Sequence, residues 1–226
     1  MRTFAVVLLA VTFSACGIPQ FIVLQQPEFV AVPVLTNEIR LSHDTANDVD
    51  DFLGYEIYYK FYDPDGADSA FSIDEAAIAA VGPGTALSVL DQRGFNRVVS
   101  ASNFDQIPTV PVSAVQRSQS FTFDISFPNS AGSTAAATVG SASAPPIDQE
   151  LVRDVSLVLT PGEGFVPGDL DYADPDVPDI DPPPNDGTVP MAVVVVAYGV
   201  DFTNGTFSQV VSTPLVIPEL LEIFFE

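Results

Sequence analysis

A mainly β fold, interrupted by a short helical insertion and by long acidic loops, is what the sequence predicts, and three stretches carry that prediction. Residues 53–62 alternate strictly, with Leu53, Tyr55, Ile57, Tyr59 and Phe61 on one face and Glu56, Tyr58, Lys60 and Tyr62 on the other. Period two is the mark of a strand, and aromatic and β-branched side chains suit a pleated surface. Residues 120–127 repeat the pattern with Phe121, Phe123, Ile125 and Phe127. Met191 to Ala197 is an unbroken apolar run, the pattern of a central strand covered on both faces.

The remaining elements follow from shorter signals. Residues 29–35 predict a first strand, and Pro33, which lacks an amide donor, places it at a sheet edge. Glu38 to Ser42 alternates and predicts a second strand; the aspartate-rich stretch 44–51 turns the chain into the third, over 53–62. Asp63-Pro-Asp-Gly66 ends that strand as a turn. Ser72-Ile-Asp-Glu75 reads as a capping box that starts a helix over about 72–81, stopped by Gly82-Pro83-Gly84. Short strands are predicted over 86–90 and 96–100.

The Ser-, Ala- and Gly-rich stretch of about 128–148 reads as a flexible loop, and 150–160, with Val155, Leu157 and Leu159 on one face, as a strand. Residues 161–190 hold seven aspartates between Asp169 and Asp186, many prolines and no basic residue, a composition expected to lie in solvent. Asn204-Gly205 is a two-residue hairpin signal joining the 191–197 strand to its return over 206–213, and residues 214–226 close the chain with an apolar tail.

Where the protein resides is read from its start. Arg2 carries the one positive charge ahead of an apolar run, Phe4 to Phe13, broken only by Thr12; the small residues Ser14 and Ala15 precede Cys16, the single cysteine among 226 residues. This is the plan of an export signal. The run is shorter than the roughly 20 residues a bilayer span requires.

Phe13-Ser14-Ala15-Cys16 resembles the lipobox of bacterial lipoproteins, with phenylalanine at the aliphatic position. The resemblance implies cleavage before Cys16 and acylation of its thiol, palmitate among the acyl groups. Residues 1–15 are then a signal peptide, 16–28 a lipidated terminus and tether, and 29–226 a single domain. Gly17, where inner-membrane lipoproteins carry aspartate, implies the outer membrane.

The charge balance agrees with an envelope destination. Seven basic against 30 acidic residues give a net charge of −23, which weighs against nucleic acid and against electrostatic adhesion to anionic headgroups. Membrane attachment then rests on acyl chains, at about 0.8 kcal/mol per buried methylene. No intrachain disulfide can form, so the fold depends on its apolar core.

Ile39-Arg-Leu41 as second strand, Gly54 to Lys60 as third, and Met191 to Tyr198 hairpinned to residues 207–216 as the last two resemble a fibronectin type III or immunoglobulin-like β-sandwich. The lipobox, together with the lack of a catalytic set, leads to the expectation of a structural or recognition module, its partner an envelope or extracellular protein or a glycan.

Catalytic and metal signatures are sparse. His43 is the only histidine, so a Ser-His or Cys-His pair must be built from it, and it reads as a packing or surface residue; neither Gly-x-Ser-x-Gly nor Gly-x-x-x-x-Gly-Lys occurs. A histidine zinc site lacks ligands. No enzymatic activity is expected. Two acidic groups are calcium candidates: Asp63, Asp65 and Asp68, whose glycine falls at position four where an EF-hand has it at six, and the Asp-x-Asp spacings at Asp169, Asp171, Asp174, Asp176, Asp179 and Asp181. They define the alternative of a calcium-dependent adhesin. Paired carboxylates define another, an envelope carbohydrate-active hydrolase. Tyr58 and Tyr62 are expected beneath the helical insertion; exposed, they would form a patch for a protein or carbohydrate.

Overall fold

Alternating residues become the strands of one curled, antiparallel sheet. The computed structural model describes residues 22–31, 37–128, 133–140, 147–154, 164–165, 170, 174–178, 187–201 and 207–224. Its strands are β1 (Glu28–Ala31), β2 (Glu38–Ser42), β3 (Phe52–Phe61), β4 (Asn96–Ser100), β5 (Val110–Pro111), β6 (Thr122–Ser126), β7 (Ala136–Gly140), β8 (Ile147–Arg153), β9 (Thr188–Asp201), β10 (Ser208–Val211), β11 (Leu215–Val216) and β12 (Leu221–Phe224). Three helices join them, α1 (Ala67–Ala79), α2 (Ala86–Gln92) and α3 (Ala114–Arg117).

The strands pair in the order β1-β2-β6-β7-β8-β4-β3-β9-β10, with β5 added to β3 and with β11 and β12 added to β9. β1 stands at one end of that path, the edge position that Pro33 predicts.

β9 organises the sheet. One edge pairs with β3 from Phe52↔Gly199 to Phe61↔Met191; the other is shared in sequence by β10, β11 and β12. The closing apolar tail is thus two further ladder strands. Val189, Met191, Val193, Val195 and Ala197 point into the inner core with Ile39, Leu41, Tyr55, Ile57, Tyr59, Phe123 and Ile125. The intervening Ala192, Val194, Val196 and Tyr198 enter a second core under Phe71 and Ile78 of α1 and Ala86 and Leu90 of α2. The unbroken apolar run is therefore buried on both faces, as its pattern predicts.

Side chains tie the two ends of the curl together. Asn37, in a left-handed conformation (φ 44°), donates from Nδ2 to the Glu222 carbonyl of β12 at 2.7 Å and to the Pro128 carbonyl at 3.3 Å. Thr213 Oγ1 donates to Gln26 Oε1 at 3.2 Å. Residues 22–27, read from sequence as tether, already join the core: Leu24 is buried and Ile22 packs beside it.

Several local expectations are corrected. Leu53 does not share a face with Tyr55: the pairing with β9 slips between Phe52 and Gly54, so Phe52 enters the inner core and Leu53 packs on the outer one. α1 starts after Gly66, and Ser72 lies inside the helix, so Ser72-x-x-Glu75 caps nothing. The capping box forms instead at Ser113 and Gln116, ahead of α3.

Residues 86–90 form α2 and not a strand, because Ala86 and Leu90, four apart, both turn into the outer core. The Ser/Ala/Gly-rich stretch is not all loop: it supplies β7 and the start of β8, with Ala137 and Val139 in the inner core. β8 ends at Arg153, and the Val155, Leu157 and Leu159 face lies outside the described residues, as does Asn204-Gly205 between the antiparallel β9 and β10.

Candidate functional site

The predicted lipidation site, Cys16, lies outside the described residues. Among the described residues, no helix is long and apolar enough to cross a membrane.

The acidic candidates separate by environment. Asp63 Oδ1 accepts the Asp65 amide at 2.9 Å and so closes the turn after β3, while Asp68 sits in the first turn of α1. Asp68 borders a groove of about 940 Å³ between the start of α1 and the 218–222 segment, where Glu219 and Glu222 also lie. Asp169, Asp171, Asp179 and Asp181 lie outside the described residues. Among the described residues, no three His, Cys, Asp or Glu side chains are grouped to hold a metal ion.

Asp174 and Asp176 are turned inward, contrary to the solvated loop expected of residues 161–190. Arg153 of β8, fully buried, meets Asp174 Oδ2 at 2.9 Å and Asp176 Oδ1 at 3.0 Å through Nη1, and its Nε donates to the Gly164 carbonyl at 3.0 Å. Tyr59 donates its hydroxyl to Asp176 Oδ2. Beside this cluster the Phe165 ring packs edge-on against Tyr59 and Phe127, and Leu170 and Val177 are buried as well. Burial raises the Asp176 carboxyl above its ordinary range, against the pull of Arg153, and raises the Tyr59 phenol. Three scattered apolar side chains and one buried guanidinium thus anchor what composition alone places in water.

His43 is a core residue. Its ring stacks on Phe121 at 4.6 Å, Nδ1 lies 2.6 Å from the Tyr55 hydroxyl, and Nε2 lies 2.8 Å from the Arg117 carbonyl. The carbonyl can only accept, so Nε2 carries the proton and Nδ1 accepts from Tyr55. Burial lowers the His43 pKa and keeps the ring neutral.

Tyr58 and Tyr62 lie under the helical insertion, as expected. Tyr62 is buried against Phe71, and its hydroxyl donates to Asp74 of α1 at 2.9 Å. Lys60 Nζ reaches the same carboxylate at 2.7 Å and the Arg93 carbonyl at 2.8 Å. One aspartate, Asp74, 5 % exposed, therefore fastens α1 to β3.

Glu56 is the buried acid that alternation alone misplaces in solvent. It is 2 % exposed, opposite Val196 of β9. Burial pushes its pKa up to about 7, against the opposing pull of Arg97 at 3.8 Å. The sequence signal is indirect: if β9 is covered on both faces, the outward face of the neighbouring β3 is covered too.

Comparison with protein-family models, with curated proteins and with solved structures returns no match. The functional reading therefore rests on the chain's own residues.

Proposed function

We propose that this chain is a non-enzymatic lipoprotein of the bacterial cell envelope, a structural or recognition module held at the outer membrane by acyl chains on Cys16. The observation that carries the reading is Phe13-Ser14-Ala15-Cys16 at the end of a short apolar run behind Arg2. With a net charge of −23, acyl chains and not basic residues supply the membrane affinity. One acyl chain holds a protein only marginally; stable anchoring takes two signals, which a multiply acylated cysteine provides.

The module itself is read as an immunoglobulin-like or fibronectin type III-like sandwich. Strand order supports this: β1-β2-β6 run together on one side, as A, B and E do in that plan, and β3-β9-β10 on the other, as C, F and G do. β7, β8 and β4 bridge the two groups into one curl. The partner is proposed to be an envelope or extracellular protein or a glycan.

The test is expression of the full chain and of Cys16→Ala in a bacterial host with metabolic palmitate labelling and membrane fractionation. The parent chain is expected in the detergent-soluble membrane fraction with label, and the variant without it. Equal fractionation of both chains, with no label in either, overturns the proposal.

A further inference from the structure

The carboxylate of Glu56 is buried in an arrangement that leaves Oε1 with no hydrogen-bond partner. Its other oxygen has a long contact from Thr109 Oγ1, 3.4 Å, a hydroxyl that donates more closely to the Val98 carbonyl at 2.8 Å, and the Thr109 backbone amide favours the charged form weakly, short of offsetting burial. Arg97 of β4 stands 3.8 Å away, beyond hydrogen-bond reach. Its guanidinium is committed elsewhere: Nη1 donates to the Gln106 carbonyl at 3.1 Å and Nη2 to the Phe104 carbonyl at 3.3 Å. Both acceptors belong to residues 101–109, which run from β4 to β5 and present Phe104 and Ile107 to solvent, 36 % and 46 % exposed. The other ionisable group facing Glu56 is the Tyr58 phenol on its own strand, which Tyr198 of β9 faces in turn.

A buried carboxylate with one oxygen left without a donor is costly when ionised and better tolerated when neutral. The cationic donor nearest the carboxylate is Arg97, and a charge-assisted bond to a carboxylate is about twice as strong as one to a neutral carbonyl. We propose that Glu56, Arg97 and the carbonyls of Phe104 and Gln106 form a proton-sensitive latch: neutral Glu56 leaves the guanidinium on residues 101–109, and ionised Glu56 draws it away and releases them. Presentation of Phe104 and Ile107 then follows the pH outside the domain. This device is independent of the lipid anchor.

The sign follows from linkage. Glu56 has a folded pKa of about 7 against an ordinary 4.5, so its contribution to the closed state is complete below 4.5 and is lost as pH rises through 7. If opening solvates the carboxyl, the open population grows by up to tenfold per pH unit across that window and levels off above it.

The experiment is amide hydrogen exchange on the full-length protein in detergent between pH 5 and 8, corrected for intrinsic rates. The amides of Asn103 and Gln106, bonded to the Ser100 and Asn103 carbonyls, are the probes, and β3–β9 ladder amides report global opening. Expected are a rise in probe exchange that stops near pH 7, no such rise in Glu56→Gln, and pH-independent fast probe exchange in Arg97→Met. Unchanged ladder amides in all three complete the expected result. A flat profile in the parent, persistence of the rise in Glu56→Gln, or probes that move only with the ladder each overturn the latch.

Discussion

Gly54 lies against Val110 so closely that a Cβ on the glycine would stand 2.1 Å from the Val110 carbonyl oxygen. The contact marks where β5 pairs with β3, and Gly54, with a φ of 151°, sits at the slip that sends Leu53 and Tyr55 to opposite cores. Only glycine meets both demands. Gly54→Ala is expected to cost roughly 3 kcal/mol through overpacking and backbone strain. Equilibrium denaturation measures it, and a loss under about 0.5 kcal/mol, the range of ordinary surface changes, would contradict this reading.

Arg153 joins β8 to the aspartate- and proline-rich segment. Removing one partner of a buried ion pair strands the other, at about 3–5 kcal/mol. Arg153→Met is therefore expected to destabilise the fold by that amount, since Asp174 and Asp176 lose the cation that offsets their burial. Asp176→Asn in the Arg153→Met background is expected to recover part of the loss, because Tyr59 can still donate to the amide oxygen. Denaturant midpoints of the single and double variants decide the matter, and additive losses would argue against the pairing.

The fold's larger features were legible in the sequence, and its exceptions have physical causes. Period two placed β3 and β6, and the unbroken run at 191–197 placed the doubly covered strand. What alternation cannot carry is a one-residue slip, as at Gly54, because every position beyond it changes face. A short apolar run such as residues 86–90 has no period long enough to separate helix from strand. Phe165, Leu170 and Val177 are isolated among aspartates and prolines, and they are buried in an inner core built from residues remote in sequence, Tyr59 and Phe127 among them. The Glu56 site was hidden for the same reason, since its neighbours Arg97 and Thr109 arrive on separate segments.

Acid should weaken the domain through His43. Its folded pKa lies below the ordinary 6.5, so the contribution of the neutral ring is complete above pH 6.5 and is lost as pH falls through the lowered value. His43→Phe keeps an aromatic ring on Phe121 and removes the proton. Thermal melts between pH 4.5 and 7 are expected to show a shallower acid decline in the variant than in the parent. Parallel curves would mean that His43 does not titrate on unfolding.

Asp74 collects Lys60 and Tyr62 from the β3 end of the sheet, with Arg93 at 3.4 Å. Asp74→Ala is expected to cost about 2–4 kcal/mol, since buried donors to a charged acceptor are left unsatisfied. Loosening should be greatest in α1, so faster amide exchange confined to residues 67–79 is the diagnostic, with the inner-core ladder unaffected.

The lipid at Cys16 is the central claim, and intact-mass and peptide mass spectrometry of protein isolated from membranes of a bacterial host tests it most directly. A mature chain beginning at Cys16, carrying acyl mass on its first residue that is absent from Cys16→Ala, is the predicted result. A chain that keeps Met1, or that bears an unmodified Cys16, would contradict it.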